Sequence, residues 1–291
     1  MIRRNFLWGA LLVVILASCG TPKVLTTAKS EAATYEASGN YEQALTAWTA
    51  YFNATATEDV TGADFAQAAK TAFKTGNASQ AISWFDQARY KNYADAEMYE
   101  TLARVYQNEG NLSKELSALE YIVENFGNKN TVANARLLAI YNEINEPQKA
   151  LAAWNNLNSE AKADASNLEQ YFLVNKKMDN SAVCDSVASA LLNINPENIE
   201  ALAWNAKKYY WAGQNRYERE MARYNKNKTR KNYSILLKEL DLVTADFKKA
   251  LPYLNTLWKL NPGKEYAGYL ANIYARFGDE QKTAFYKNYL K

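Results

Sequence analysis

The chain has 291 residues, 34 of them Lys or Arg and 31 Asp or Glu, and it contains no histidine. The missing histidine removes serine–histidine and cysteine–histidine nucleophile pairs and every histidine-based zinc site. A formal charge of +3, 22% charged residues and a negative mean hydropathy fit a hydrated body and argue against nucleic acid as a general partner.

Met1-Ile2-Arg3-Arg4 is a short basic head, and the apolar run from Phe6 to Ala17 is too short for a comfortable membrane span. Leu16-Ala17-Ser18-Cys19 resembles the lipobox of bacterial lipoproteins. The resemblance implies a signal peptide over residues 1–18, acylation at Cys19 and a polar tether over 19–27, with membrane contact through the lipid anchor. Gly20, in place of an aspartate after the cysteine, implies the outer membrane by likeness to Gram-negative lipoproteins. No acidic cluster follows, which favours the periplasmic face. Cys184 is then the one remaining cysteine, so it is expected to be a buried filler and not half of an intrachain disulfide.

Beyond the tether, one turn mark recurs. Gly39, Gly76, Gly110, Asn145, Asp179, Gly213 and Gly278 are spaced by 37, 34, 35, 34, 34 and 65 residues, the last being one more period of 34 lengthened by 31. A fixed period near 34 predicts a stack of helix–turn–helix units. In the third unit an apolar stripe through Tyr99, Leu102, Ala103 and Tyr106 precedes Gly110, and Leu116, Leu119, Ile122 and Val123 follow it. That is helical spacing on both sides of a left-handed corner. Five residues past the mark a small side chain recurs as Ala44, Ala81 and Ala150, replaced by Glu115, Cys184 and Thr283 in other units. A small residue there lets two helices approach closely. Length alone allows one or two ordinary domains, whereas a solenoid has no single core to limit it.

These slots resemble the tetratricopeptide repeat family over residues 28–291. An aromatic four residues before the mark appears as Tyr35, Tyr106, Tyr141, Tyr209 and Tyr274, a second-helix aromatic as Trp48, Phe85 and Trp154, and a closing proline as Pro196 and Pro262. The resemblance implies an all-α fold, a right-handed α–α superhelix that holds other molecules, with no catalytic site, metal or cofactor. It also implies that first helices line a concave face. The family's groove slots fall on Lys70, Phe73 and Lys74, then Arg104, Gln107 and Asn108, then Asn142. Further along they fall on Lys176 and Lys177, and on Lys207, Tyr210 and Trp211. Basic, amide and aromatic groups together suit an extended peptide segment of acidic character. The lysine and asparagine clamp that some members use for a terminal carboxylate is not recognisable. Ser38-Gly39-Asn40, Lys74-Thr75-Gly76 and Ser159-Glu160-Ala161-Lys162 match pieces of the penicillin-binding serine motifs, but in the wrong order and mostly at corners. Asp185-Ser186-Val187 resembles the short O-glycan acceptor motif of Bacteroidetes envelope proteins, here inside a predicted helix.

The sixth unit carries an insert of about residues 213–242, with eight basic residues against four acidic ones and tyrosines between them. Its pattern predicts a first helix running on past Gly213, a break near Asn225 to Thr229, and a return helix to Leu260, kinked at Pro252. Such an insert either carries a specific contact, through Arg216, Tyr217, Arg219, Arg223 and Tyr224, or shields the stack as a self-packed hairpin. Two functions remain open beside a scaffold in an envelope assembly such as outer-membrane protein insertion or secretion. One is glycan capture on aromatic platforms, and the other is self-association.

Overall fold

The computed structural model describes residues 21–290. The basic head, the apolar run and Cys19 lie outside the described residues. Fifteen α-helices and no strand are present among the described residues, in two compact units, Met1–Gly127 and Asn128–Lys291. None of the described helices is long and apolar enough to cross a membrane.

The first unit holds three helix pairs: α1 (Thr21–Ala37) with α2 (Tyr41–Ala54), α3 (Gly62–Lys74) with α4 (Ala78–Tyr90), and α5 (Ala96–Asn108) with α6 (Leu112–Asn125). Helix α1 starts inside the segment expected to be a tether, with Pro22 in its first turn, where a missing N–H costs nothing. The second unit holds four pairs. They are α7 (Thr131–Glu143) with α8 (Pro147–Asn156), α10 (Ala165–Lys177) with α11 (Ser181–Ile194), α12 (Ile199–Lys226) with α13 (Arg230–Leu260), and α14 (Lys264–Arg276) with α15 (Glu280–Asn288). A single-turn helix, α9 (Ser159–Ala163), joins the first two of these pairs.

Six of the seven turn marks are left-handed corners. Gly39, Gly76, Gly110, Asn145, Asp179 and Gly278 have φ between 55° and 79°. Each closes its helix with the same two bonds. At the third corner Gly110 N donates to Gln107 O at 3.0 Å and Asn111 N donates to Tyr106 O at 2.8 Å, so two carbonyls that the helix leaves open are satisfied. The next residue then starts the second helix, as where Asn77, Asn111 and Asp279 accept from backbone N–H groups three residues on. Around three corners a lysine lies over the tyrosine of the preceding helix: Lys114 over Tyr106, Lys149 over Tyr141 and Lys282 over Tyr274, at 5.2, 5.5 and 4.7 Å. The slot five past each mark is buried in all six pairs, whether it holds Ala44, Ala81, Glu115, Ala150, Cys184 or Thr283. Trp48, Phe85 and Trp154 are buried beside it.

Gly213 is the exception. It sits in the middle of α12, with no positive φ, and a Cβ there would stand 3.0 Å from the buried ring of Phe247 on α13. Its role is close approach and not a turn. The chain turns instead at Asn227–Thr229, where Thr229 caps α13 by accepting from Asn232 N. The two long helices pack as an antiparallel pair with heptad-like spacing. Ala206, Tyr210, Gly213 and Glu220 are buried on α12, against Leu236, Val243, Phe247, Ala250, Leu254 and Leu257 on α13. Helix α13 runs unbroken through Pro252, whose lost hydrogen bond falls on an exposed face.

Candidate functional site

The first-helix slots form one cleft in each unit. In the first unit Lys70, Phe73 and Lys74 from α3 meet Arg104 from α5 around a hollow of about 420 Å³. Glu36, Tyr41, Gln67, Thr71, Glu97, Glu100 and Thr101 complete it, and sequence reasoning did not single these out. Much of its charge is already spoken for. Lys70 reaches Glu97 at 2.8 Å, and Lys74 lies 4.4 Å above the Tyr41 ring. Glu36 accepts from Trp48 Nε1 and Gln67 Nε2 at 2.7 Å and from Thr71 Oγ1 at 2.5 Å. Arg104 is exposed with no ion pair among the described residues, and Phe73 is half-buried. Gln107 and Asn108 are exposed on the last turn of α5 and do not line this hollow.

In the second unit Lys176, Lys207 and Trp211 come together around a cleft of about 400 Å³, joined by Ser181, Asp185, Trp204 and Lys208. Trp204 and Trp211 are seven residues apart on α12 and so share a face. That spacing was the signal available for Trp204. Its indole N–H donates to Asp185 at 2.9 Å, and Lys208 reaches the other oxygen of Asp185 at 2.7 Å. Burial pushes the Asp185 carboxyl up, but the bonds from Lys208 and Trp204 outweigh it and hold the carboxyl below its usual range. Lys207 pairs with Glu265 at 2.7 Å, and that bond raises its pKa. Lys176 pairs with Glu200 at 2.8 Å. The open group in this cleft is therefore Trp211, 47% exposed, and not a lysine.

Two of the expected groove residues are core residues instead. Tyr210 is buried between α12, α13 and α14 and takes a hydrogen bond from Asn272 at 2.7 Å. Asn142 is buried, donates to Gln170 at 2.8 Å, and offers its backbone carbonyl to Lys177 at 2.5 Å. Both stand one residue away from an exposed position, and the turn of the helix decides which side faces water. The tripeptide Asp185-Ser186-Val187 lies inside α11, with Asp185 engaged and Val187 buried. Buried Cys184 has its thiol pKa raised by burial, in line with a filler.

The insert is self-packed along most of its length. Arg216 bridges to Glu239 at 3.0 Å and Asp246 at 3.4 Å, and Tyr217 lies under the Arg276 guanidinium at 3.7 Å. Both are half-buried in these contacts, Arg216 within the hairpin and Tyr217 against α14. Arg219 and Arg223 are exposed and flank the buried Glu220, at 2.8 and 3.6 Å, while Tyr224 packs against Tyr233.

No family model matches the chain, and no curated protein matches it. Solved structures do resemble it. A tetratricopeptide repeat protein from Parabacteroides merdae superposes with a TM-score of 0.51 over 91% of both chains, at 10% identity. YrrB, described as a TPR protein with an unusual peptide-binding site, matches with a TM-score of 0.50 at 14% identity, over 62% of this chain and 96% of its own. At such identities the likeness establishes the repeat fold, and no finer property passes with it.

Proposed function

We propose that this chain, built on the tetratricopeptide-type repeat fold, is a non-catalytic scaffold that holds extended segments of partner proteins against its first helices. The observation that carries the reading is the cleft beside Trp211. A large ring stands half-exposed in a hollow whose lysines are already paired within the protein. Such a cleft takes an apolar side chain as its anchor, with backbone bonds to the surrounding polar groups, and asks for less negative charge than the lysine count suggests. In the first unit the half-buried ring of Phe73 lines the hollow beside Arg104, which has no ion pair among the described residues. The lipobox resemblance at Cys19 supports attachment to the outer membrane, on its periplasmic face, and hence a partner in an envelope assembly.

An array of extended peptides, screened with the full chain and with its Trp211→Ala variant, tests the reading. Binders should share an aromatic or aliphatic anchor and weaken by at least about tenfold in the variant, as truncation of an aromatic anchor does. Peptide binding indifferent to Trp211 would count against the cleft. Incorporation of labelled palmitate that disappears in Cys19→Ser tests the anchor separately. The shared face of Trp204 and Trp211 also favours a second reading, capture of a glycan on an aromatic platform. Saccharide binding on a glycan array, with no peptide retained, would select it.

A further inference from the structure

The far end of the α12–α13 hairpin is left unused by the clefts. Between residues 221 and 238 there is no Asp or Glu. Arg223, Lys226, Lys228, Arg230 and Lys231 crowd into the end of α12, the three-residue turn and the first turn of α13, and all five are exposed. Only Arg223 has an acidic neighbour, Glu220 at 3.6 Å; the other four have no ion-pair partner among the described residues. Arg223 and Lys226 complement the dipole at the end of α12, but nothing in the packing asks for the other three. Cations at the start of a helix oppose its dipole, α13 has no acid in its first turn to offset them, and the five charges repel one another. A local arrangement that works against folding is expected where function requires it.

Two exposed apolar side chains stand beside the charges, Tyr233 at 48% and Leu237 at 47%. The tip is a convex turn, which encloses no peptide, but all its cations can meet a flat anionic layer at once. Tyr233, in the first turn of α13, suits headgroup level, and Leu237 lies one turn farther from the layer. We propose that the tip of this hairpin adsorbs to an anionic bilayer surface and gives the chain a membrane contact independent of Cys19. Each added cation near such a surface strengthens adsorption by about fivefold. Loss of three should therefore weaken it on the order of a hundredfold.

The test uses residues 19–291 carrying Cys19→Ser, since the basic head and apolar run before residue 19 would themselves enter a vesicle. A bimane probe sits on Asn225→Cys; Cys184 is buried and does not compete for the label. Vesicles of phosphatidylcholine, alone or mixed with phosphatidylglycerol, carry a nitroxide on a fraction of headgroups. The expected result is quenching of the probe on mixed vesicles only, relieved by salt. It should be lost on the order of a hundredfold in the variant Lys226→Gln, Lys228→Gln and Lys231→Gln, with helicity unchanged. Quenching that ignores lipid charge, or no quenching on either vesicle, would overturn the proposal. So would a probe whose anisotropy rises with polyglutamate while mixed vesicles leave it unquenched, because the partner would then be an acidic polypeptide.

Discussion

At the scale of single residues, three glycines answer to three different forces. Gly110 is needed for its backbone, since φ is +69° and a Cβ would meet nothing. Gly110→Ala should cost about 1 kcal/mol through the strain of the left-handed conformation. Gly213 is needed for space. An alanine there gains helix propensity, about 1 kcal/mol, but its Cβ meets three atoms of the Phe247 ring at 3.0–3.3 Å. That ring is fully buried and has nowhere to go, so Gly213→Ala should be net destabilising by about 1–2 kcal/mol. Gly268, within α14, meets nothing within 4 Å and has no positive φ, so Gly268→Ala should stabilise by up to about 1 kcal/mol. Urea unfolding of the three variants orders them, and a stabilised Gly213→Ala would refute the packing argument.

The ion pair of exposed Lys29 with buried Asp64 in the first unit sets a pH dependence at the same scale. Burial pushes the Asp64 carboxyl up, but hydrogen bonds from Lys29, 2.5 Å away, and from Thr61 outweigh it, so its pKa lies below the ordinary value. A depressed folded pKa means that the contribution is present above the unfolded pKa of about 4 and is lost as pH falls through the lower folded value. The first unit should therefore lose stability below about pH 4. Lys29→Met should raise the Asp64 pKa and lower stability at neutral pH. Carboxyl carbon resonances followed by NMR through the acid range measure both, and an Asp64 resonance indifferent to Lys29 would contradict the assignment.

At the scale of elements, the α12–α13 hairpin is an ordinary repeat pair lengthened at both inner ends. The core around Tyr210, Phe247, Leu254 and Leu270 lies near the repeat end of the pair, and the insert adds a further seam to it. Removing residues 214–245 joins Gly213 directly to Asp246 and restores the spacing that puts Ala250 five past the mark. The trimmed chain should stay folded and lose only the ellipticity of the deleted helices. Phe247→Ala in the full chain should instead cost about 3–5 kcal/mol. A trimmed chain that fails to fold, seen by circular dichroism, would mean that the hairpin is structural and not an addition.

Much of this was legible in the sequence, for identifiable reasons. A left-handed corner admits few residue types, so six marks stood out at a regular period, and the helices beside them followed from apolar spacing. Gly213 fell in the period of the marks, yet the spacing beyond it already predicted a helix running on to a break near Asn225 to Thr229, as α12 and α13 show; what the sequence does not reveal is that this glycine serves proximity to Phe247. The clefts were legible only in part. Lys70, Phe73, Lys74 and Arg104 converge as their slots suggested, but Tyr210 and Asn142 are buried by neighbouring helices that the slot pattern does not represent. Pairing was hidden for the same reason. Glu97, Glu200 and Glu265 each begin a following first helix, and nothing local to the lysines announces that they will reach them.

At the scale of the whole molecule, each unit is a run of helix pairs that bury one another's apolar stripes and leave the first-helix clefts open. In such an architecture the chemistry of binding is separated from the devices that hold the fold. Corners, small slots and stripes are spent on stacking, and Trp211, Phe73 and Arg104 are among the groups left over. The most direct test places benzoylphenylalanine at Trp211 or at Phe73 in the full chain in its own cells. As a control, the same group replaces Tyr90, which is 82% exposed on the second helix α4. Irradiation should give the same discrete polypeptide adducts from repeat experiments at the two cleft positions and none at Tyr90. Equal labelling at all three positions, or none at the clefts, would contradict the account.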